Sequence, residues 1–354
     1  MSKIQQTLIY RIPISSNDLP SFPSSLSLSL TNNPERMRNS EIFRNSVKVL
    51  NSLWREKSRI EKNSNFHIVR DKLFPSGITG SEEGNLNRAG DKLAEIDEAV
   101  GLLDLEFSSF VDLCGGPGAF AFYVLSKRRI KGWGMTLRGS AESIDWDARL
   151  TEGEFGECFI VEWGADGTGN LYFLENREFL AKKVDRVNLV VGDGGFRVEE
   201  ENIQELLTGR LLICEVLTGV SIIADNGNIC IKTFDLFSSL SISIVYTIAI
   251  LFNECFIVKP KRSRITNSER YLVGKGFRGR NHQFDLIIKL LQDAANLCND
   301  TSTVDSLFPI STLKADKAFV QALENCSLDI AERQTDALRT VNDTCEKGKK
   351  RLLS

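Results

Sequence analysis

Histidine is nearly missing from this chain, with two among 354 residues, and the eight cysteines are scattered from Cys114 to Cys345 with no C-x-x-C pair. Those shortages exclude the ligand spacings of an ordinary zinc site, so no metal is expected. Strong charge of either sign is lacking too. A formal net charge of −3 excludes a protein coated in basic residues, so any contact with a polyanion must use a local patch. The opening "MSKIQQTLIYRIPIS" has no uninterrupted apolar core, and no secretory signal is read there. A convincing membrane span is also wanting. The nearest approach, 236–253 ("LFSSLSISIVYTIAILFN"), is uncharged but rich in serine. Its flanks are Asp235 and Glu254 rather than basic anchors, which predicts a buried helix between two strands. With Cys114, Cys230 and Cys255 inside apolar runs, the thiols are expected to be reduced and the compartment to be cytosol or nucleus.

What remains is an ordinary balance of 42% hydrophobic and 26% charged residues in a chain long enough for a large core. Residues 1–40 are dominated by Ser, Pro and Asn and read as a disordered tail. Residues 41–84 hold a helical segment, with apolar positions at Ile42, Val47, Leu50, Leu53 and Trp54, followed by a loop from 74 to 84. The centre, 85–280, alternates strand and helix. Strand-like runs lie at 109–114, 131–137, 186–193, 228–234, 255–260 and 270–277, and helical patterns at 118–127, 172–183, 200–224 and 236–252. That alternation predicts an α/β fold, a parallel Rossmann-like sheet covered by helices on both faces. Amphipathic helices follow at 281–345, and 346–354 is a basic tail.

In such a sheet, ligands bind beyond the carboxyl ends of the strands. The run "SFVDLCGGPGAF" (109–120) sits at such an end. It resembles the dinucleotide pattern G-x-G-x-x-G without matching it, and Pro117 removes a backbone donor that a pyrophosphate would use. The run "VVGDGGF" places Asp193 and two glycines at the rim, and "ICIKTF" places Lys232 at the end of an apolar strand. A buried lysine needs an acid or a task. Asp193 facing Lys232 could be a functional pair or only a salt bridge holding two strand ends. Glu269 opens the last strand in "NSERY", and Lys92 lies on a helix before the first strand in "NRAGDKLAEID".

These stretches, with "GWGMTLRG", "VGDGGFRVEEENIQELL", "CIKTFDLF" and "KPKRSRITNSERYLVGKGF", resemble the FtsJ-like RNA 2′-O-ribose methyltransferases, most closely the cap-specific mRNA branch, over 42–340. The resemblance implies a catalytic tetrad on Lys92, Asp193, Lys232 and Glu269, and S-adenosyl-L-methionine as the methyl donor. Cofactor contacts would fall on Asn87, Asp112, Cys114, Gly115, Gly116, Pro117, Gly118, Ala119, Phe120, Asn170, Leu171 and Asp193. Substrate contacts would fall on Asn202, Ile203, Gln204 and Asn267. The implied partners are m7G-capped RNA and the transcription and capping machinery, and the implied location is the nucleus. A cationic methylguanine could stack on an aromatic face near acids, with Trp54, Phe66 and Glu61 available. Arg138, Lys261, Arg262 and Arg264 are candidates for the RNA backbone. Lys232 is expected to help remove the ribose proton, with burial and Lys92 lowering its pKa and Asp193 and Glu269 raising it. Other readings are an FtsJ-like enzyme for ribosomal or transfer RNA, a silent RNA-binding module, and a nicotinamide oxidoreductase. Pro117 and the lack of an acid closing "GWGMTLRG" weigh against the last.

Overall fold

The computed structural model describes residues 6–15, 20–38, 41–43, 46–75, 85–104, 106, 108–139, 145–196 and 198–353. All six runs expected as strands lie in one eight-stranded sheet. Its order is β1 (Leu8–Arg11), β8 (Phe252–Lys259), β9 (Glu269–Phe277), β7 (Ile223–Phe234), β6 (Val187–Gly192), β3 (Ser109–Leu113), β4 (Lys131–Met135) and β5 (Phe159–Val161). Pairing is parallel from β7 through β6, β3 and β4 to β5. The expected all-parallel sheet fails at β9, which runs antiparallel to both β7 and β8. Between β8 and β9 the chain forms only a single 3-10 turn, Lys261–Ser263, too little for the helical crossover a parallel pair needs.

Helices fill the intervals: α1 (Glu35–Arg38), α2 (Ser46–Ser58), α3 (Phe66–Leu73), α4 (Arg88–Val100), α5 (Ala119–Lys127), α6 (Ala148–Thr151), α7 (Leu174–Val184), α8 (Gln204–Leu207), α9 (Gly209–Ile222), α10 (Ser239–Leu251), α11 (His282–Leu297), α12 (Ile310–Ala315) and α13 (Lys317–Leu353). The uncharged run flagged above is α10, buried from Leu240 to Leu251. Its N-terminus is closed by Ser238 Oγ, which accepts from Ser241 N at 3.2 Å. The buried Glu205 carboxylate accepts from the amides of Phe237 and Ser238 just ahead of it. Among the described residues no helix is long and apolar enough to cross a membrane.

Strand alternation sends side chains to two cores. Val111, Val190, Ile229, Ile231 and Leu272 face one, and Phe110, Leu189, Val191, Cys230, Tyr271 and Val273 face the other, under α4 and α5. The first core runs from Leu8 to Cys345, so the N-terminal and C-terminal segments share one interior with the sheet. For the described stretches 6–15 and 20–38 this corrects the reading of 1–40 as a disordered tail. Leu8–Arg11 forms β1 against Phe256–Lys259, β2 (Leu28–Leu30) pairs with β10 (Ser302–Val304), and Met37 is fully buried. Their partners lie more than 200 residues away, where composition cannot point. The expected basic tail at 346–354 continues α13 as far as Leu353. The expected loop at 74–84 lies almost wholly outside the described residues.

Candidate active site

The glycine turn follows from β3. Cys114 takes a positive φ of 53°, and Gly118 one of 98°, which suits glycine. A Cβ on Gly115 would lie 2.3 Å from the Asp112 carboxylate, and one on Gly118 would lie 2.2 Å from Leu150. Space, as well as backbone conformation, therefore demands glycine. Asp112 is fully buried; its Oδ2 accepts from Ala121 N at 3.0 Å in the first turn of α5, while its Oδ1 has no partner. Burial pushes its carboxyl well above the ordinary value. Ala119 and Phe120 are buried, and the Phe120 ring packs 5.9 Å from that of Tyr271, so their side chains support the floor of the site.

Sheet register assembles the tetrad. Lys232 and Tyr271 are direct partners across β7 and β9, and Phe234 is opposite Glu269. With a period of two, Lys232, Glu269 and Tyr271 point to the face carrying α4, whose first turns bring Lys92. Lys92 Nζ lies 2.7 Å from Glu269 Oε1. Lys232 Nζ lies 3.2 Å from Asp193 Oδ1 and donates to the Asp193 carbonyl at 2.6 Å. Tyr271 joins the two pairs, donating to Asp193 Oδ1 at 2.8 Å with Glu269 Oε1 at 3.3 Å. Burial alone would raise the Glu269 carboxyl, but Lys92, Lys232 and Lys259 hold it well below the usual carboxylate range. Burial would lower Lys232, but Asp193 and Glu269 outweigh it and raise the ammonium above its ordinary value. Of the opposing influences expected on Lys232, the carboxylates win.

The other expected residues divide. Asn87 caps α4, its Oδ1 accepting from Ala89 N at 2.7 Å. Asn170 and Leu171 lie on a loop pinned to the end of β4, where Arg138 N donates to Thr168 O at 2.7 Å and the buried Asn176 ties Asp166, Thr168 and Asn170 together. Asn202 and Gln204 line a cleft of about 880 Å³ with Lys57, Glu61, Phe66, His67, Phe196, Glu199, Glu200 and Glu201. Asn202 Oδ1 is buried there without a partner. Ile203 turns into the core, and Trp54 does likewise instead of lining the cleft. Asn267 sits apart from that cleft, its Oδ1 accepting from Lys259 Nζ at 2.6 Å beside Glu269. Arg138 stacks on Trp163 at 4.8 Å, Arg262 pairs with Glu95, and Arg264 lies 3.1 Å from Asp71.

Sequence reasoning missed Tyr271, Lys259 and Glu215. Tyr271 shares the face of Glu269 two residues on, a period-two signal present in "NSERY". Lys259 in "FIVKP" and Glu215 in "LLICEVL" are lone charges in apolar runs, the mark that singled out Lys232. Glu215 is buried on α9 beneath the strand ends, accepts from Gly194 N at 3.2 Å, and is pushed up to about 8 by burial. Among the described residues no group of His, Cys, Asp and Glu could hold a metal ion.

Residues 86–277, from α4 to the end of β9, match the family model described as FtsJ-like methyltransferase. The chain belongs to the FtsJ-like methyltransferases. Within that family it is 36% identical over 312 residues to the "Cap-specific mRNA (nucleoside-2'-O-)-methyltransferase 1" of Trypanosoma cruzi, covering 82% of this chain and 84% of that protein. The protein of the same name from Trypanosoma brucei is 35% identical over 312 residues, covering 82% of each. The human protein of that name is 33% identical over 315 residues, covering 84% of this chain and 36% of the much longer relative. The protein is therefore a methyltransferase, and the FtsJ-like segment contains the glycine turn and all four tetrad positions.

Proposed function

We propose that the protein methylates the ribose 2′-oxygen of the first transcribed nucleotide of RNA carrying an m7G cap. The observation that carries this reading is the meeting of Lys92, Asp193, Lys232 and Glu269 through contacts of 2.7 and 3.2 Å. The four come from separate elements, and Phe196, three residues beyond Asp193, lines the cleft described above. Support for the cap comes from the cleft's chemistry. Its wall combines the half-buried Phe196 with Glu61, Glu199, Glu200 and Glu201, the pairing of aromatic face and negative charge that a cationic base selects. Asn202 Oδ1, buried and unpartnered, is an acceptor for a nucleobase N–H. The relatives above bear the corresponding name.

S-adenosyl-L-methionine fits the glycine turn. The unpartnered Asp112 Oδ1 suits a ligand bearing N–H groups. Asp112 and Glu215 beneath the turn, both pushed up by burial, would release their protons more readily with a cation beside them. Asn87, Asp112, Cys114 to Phe120, Asn170, Leu171 and Asp193 would hold it, and when bound it supplies a methyl group already activated on a sulfonium. The protein's own part is alignment and proton removal. Lys232 reaches the ribose hydroxyl and takes its proton when neutral, while Asp193 and Tyr271 fix its orientation. Lys92 holds Glu269, and both set the local charge.

The test uses labelled cofactor and RNAs of one sequence with a cap or a triphosphate end. A nuclease-resistant, cap-linked dinucleotide should form from capped RNA alone. Equal labelling of both RNAs, or of internal riboses, would move the reading to a ribosomal or transfer RNA enzyme.

A further inference from the structure

A second cluster of charge forms the sealed back wall of the cleft and takes no part in the chemistry above. Lys57 on α2, Asp235 at the end of β7 and Arg270 at the start of β9 have side chains 1%, 1% and 0% exposed. The Lys57 ammonium uses three donors on three separate segments. It donates to Glu201 O at 3.2 Å, Asp235 Oδ2 at 3.0 Å and Ser268 Oγ at 2.7 Å. Glu201 precedes the cleft residues Asn202 and Gln204; Asp235 lies three residues beyond Lys232; Ser268 directly precedes Glu269. Arg270 closes the other side of Asp235 at 3.0 Å, and Gln334 of α13 reaches Thr266 O at 3.3 Å. One buried ammonium thus ties the cleft wall to the two strands that bear half the tetrad.

A fully buried charge cluster is a poor way to gain stability, because desolvation offsets the attraction and apolar side chains of similar size do as well. What it supplies is geometry. Lysine presents three donors from a point, and here they meet three acceptors. Glu205, next after the Glu201–Gln204 turn, is held by the amides of Phe237 and Ser238 beyond β7, and Lys57 adds the tie that also reaches β9 through Ser268. We propose that Lys57 is a positioning residue that sets the separation between the cap cleft and the tetrad, and so selects which ribose reaches Lys232. This rests on the cap reading above. A base held in the cleft fixes one end of the RNA, and only a rigid frame then makes the first ribose, rather than the second, meet the reacting groups.

The test is Lys57→Met, which keeps the apolar stem and removes the ammonium, beside Ser268→Ala, which removes one of its acceptors at less risk to folding. Both are compared with wild type on capped RNA, by mapping methylated positions and by separating kcat from KM. Cofactor affinity and thermal melting serve as controls. The expected result is unchanged cofactor affinity, kcat on the first nucleotide reduced by about 10²-fold in Lys57→Met, and methyl groups appearing at the second nucleotide. Ser268→Ala should show the same redistribution in weaker form. Folded variants that keep wild-type position and kcat would overturn the role of Lys57. A wild type that labels capped and uncapped RNA alike would overturn the cap reading itself, a result visible before any variant is made.

Discussion

Two clusters of lysine and acid lie within one strand end of each other and behave differently. In the tetrad, Lys92, Lys232, Asp193 and Glu269 keep 8 to 19% of their side-chain surface exposed. In the cluster of Lys57, Asp235 and Arg270 exposure is 0 to 1%. The ingredients are nearly the same, and solvent access decides their use. In the first, a ligand can approach each pair and exchange contacts with it. In the second, every donor of the ammonium is already committed, so it can transmit position but cannot react. Burial would raise the Asp235 carboxyl, yet Lys57 and Arg270 hold it below its ordinary value, so the cluster keeps its charge.

The comparison breaks most plainly at its two lysines. Lys232→Ala should lower methyl transfer by roughly 10²- to 10⁴-fold, the usual contribution of a positioned proton acceptor, while cofactor affinity measured by calorimetry stays near wild type. If most of the rate survived, Lys232 would not be the reacting lysine. The matching change in the sealed cluster, Lys57→Ala, should instead appear in denaturant unfolding. It leaves Asp235 short of one partner and should cost about 3 kcal/mol, with a smaller loss for Lys232→Ala at the solvent edge.

A finer distinction is how each cluster answers pH. Lys232 sits above its ordinary value because Asp193 and Glu269 outweigh burial. Proton removal needs its neutral form, so kcat/KM should climb through the alkaline range. Asp193→Asn removes the larger of the two raising charges, and the climb should begin at lower pH, though from a lower plateau. An unmoved profile would detach Lys232 from the titration.

The smallest effect belongs to Glu215, raised by burial from 4.5 to about 8. The folded state binds the extra proton, so its stability falls as pH rises from the ordinary carboxyl value to about 8. Glu215→Gln does not titrate and still accepts from Gly194 N. Its melting temperature should match wild type near pH 5 and exceed it by about 2–4 °C at pH 8.5. Equal melting at both values would place water against that carboxylate.

Much of the site was legible because its signals are local. A glycine turn after an apolar strand, and a lone lysine in "ICIKTF", announce strand ends, and the strand-and-helix alternation announces a doubly covered sheet. Glu269 and Lys92 stood out by position, at the start of the last strand and on the helix before the first, while their role came through resemblance; the antiparallel register of β9 brings Glu269 beside Lys232. That register depends on a connection too short to cross over, and it could have been read from the nine residues between "IVK" and "ERY".

The sequence by itself determined the periodicities, the turn chemistry and the residue types at each strand end, since these depend on neighbours a few positions away. Tertiary structure alone decided that Leu8–Arg11 joins the sheet beside residues 256–259, and that Asn342 meets Asn63 and Glu56. It also decided that Lys57 is sealed by Asp235 and Ser268 rather than solvated like the lysines around it. Nothing in a polar, serine-rich stretch or in a basic helix distinguishes those outcomes. Burial is a property of what packs on top, and here the covering strand and helix come from opposite ends of the chain.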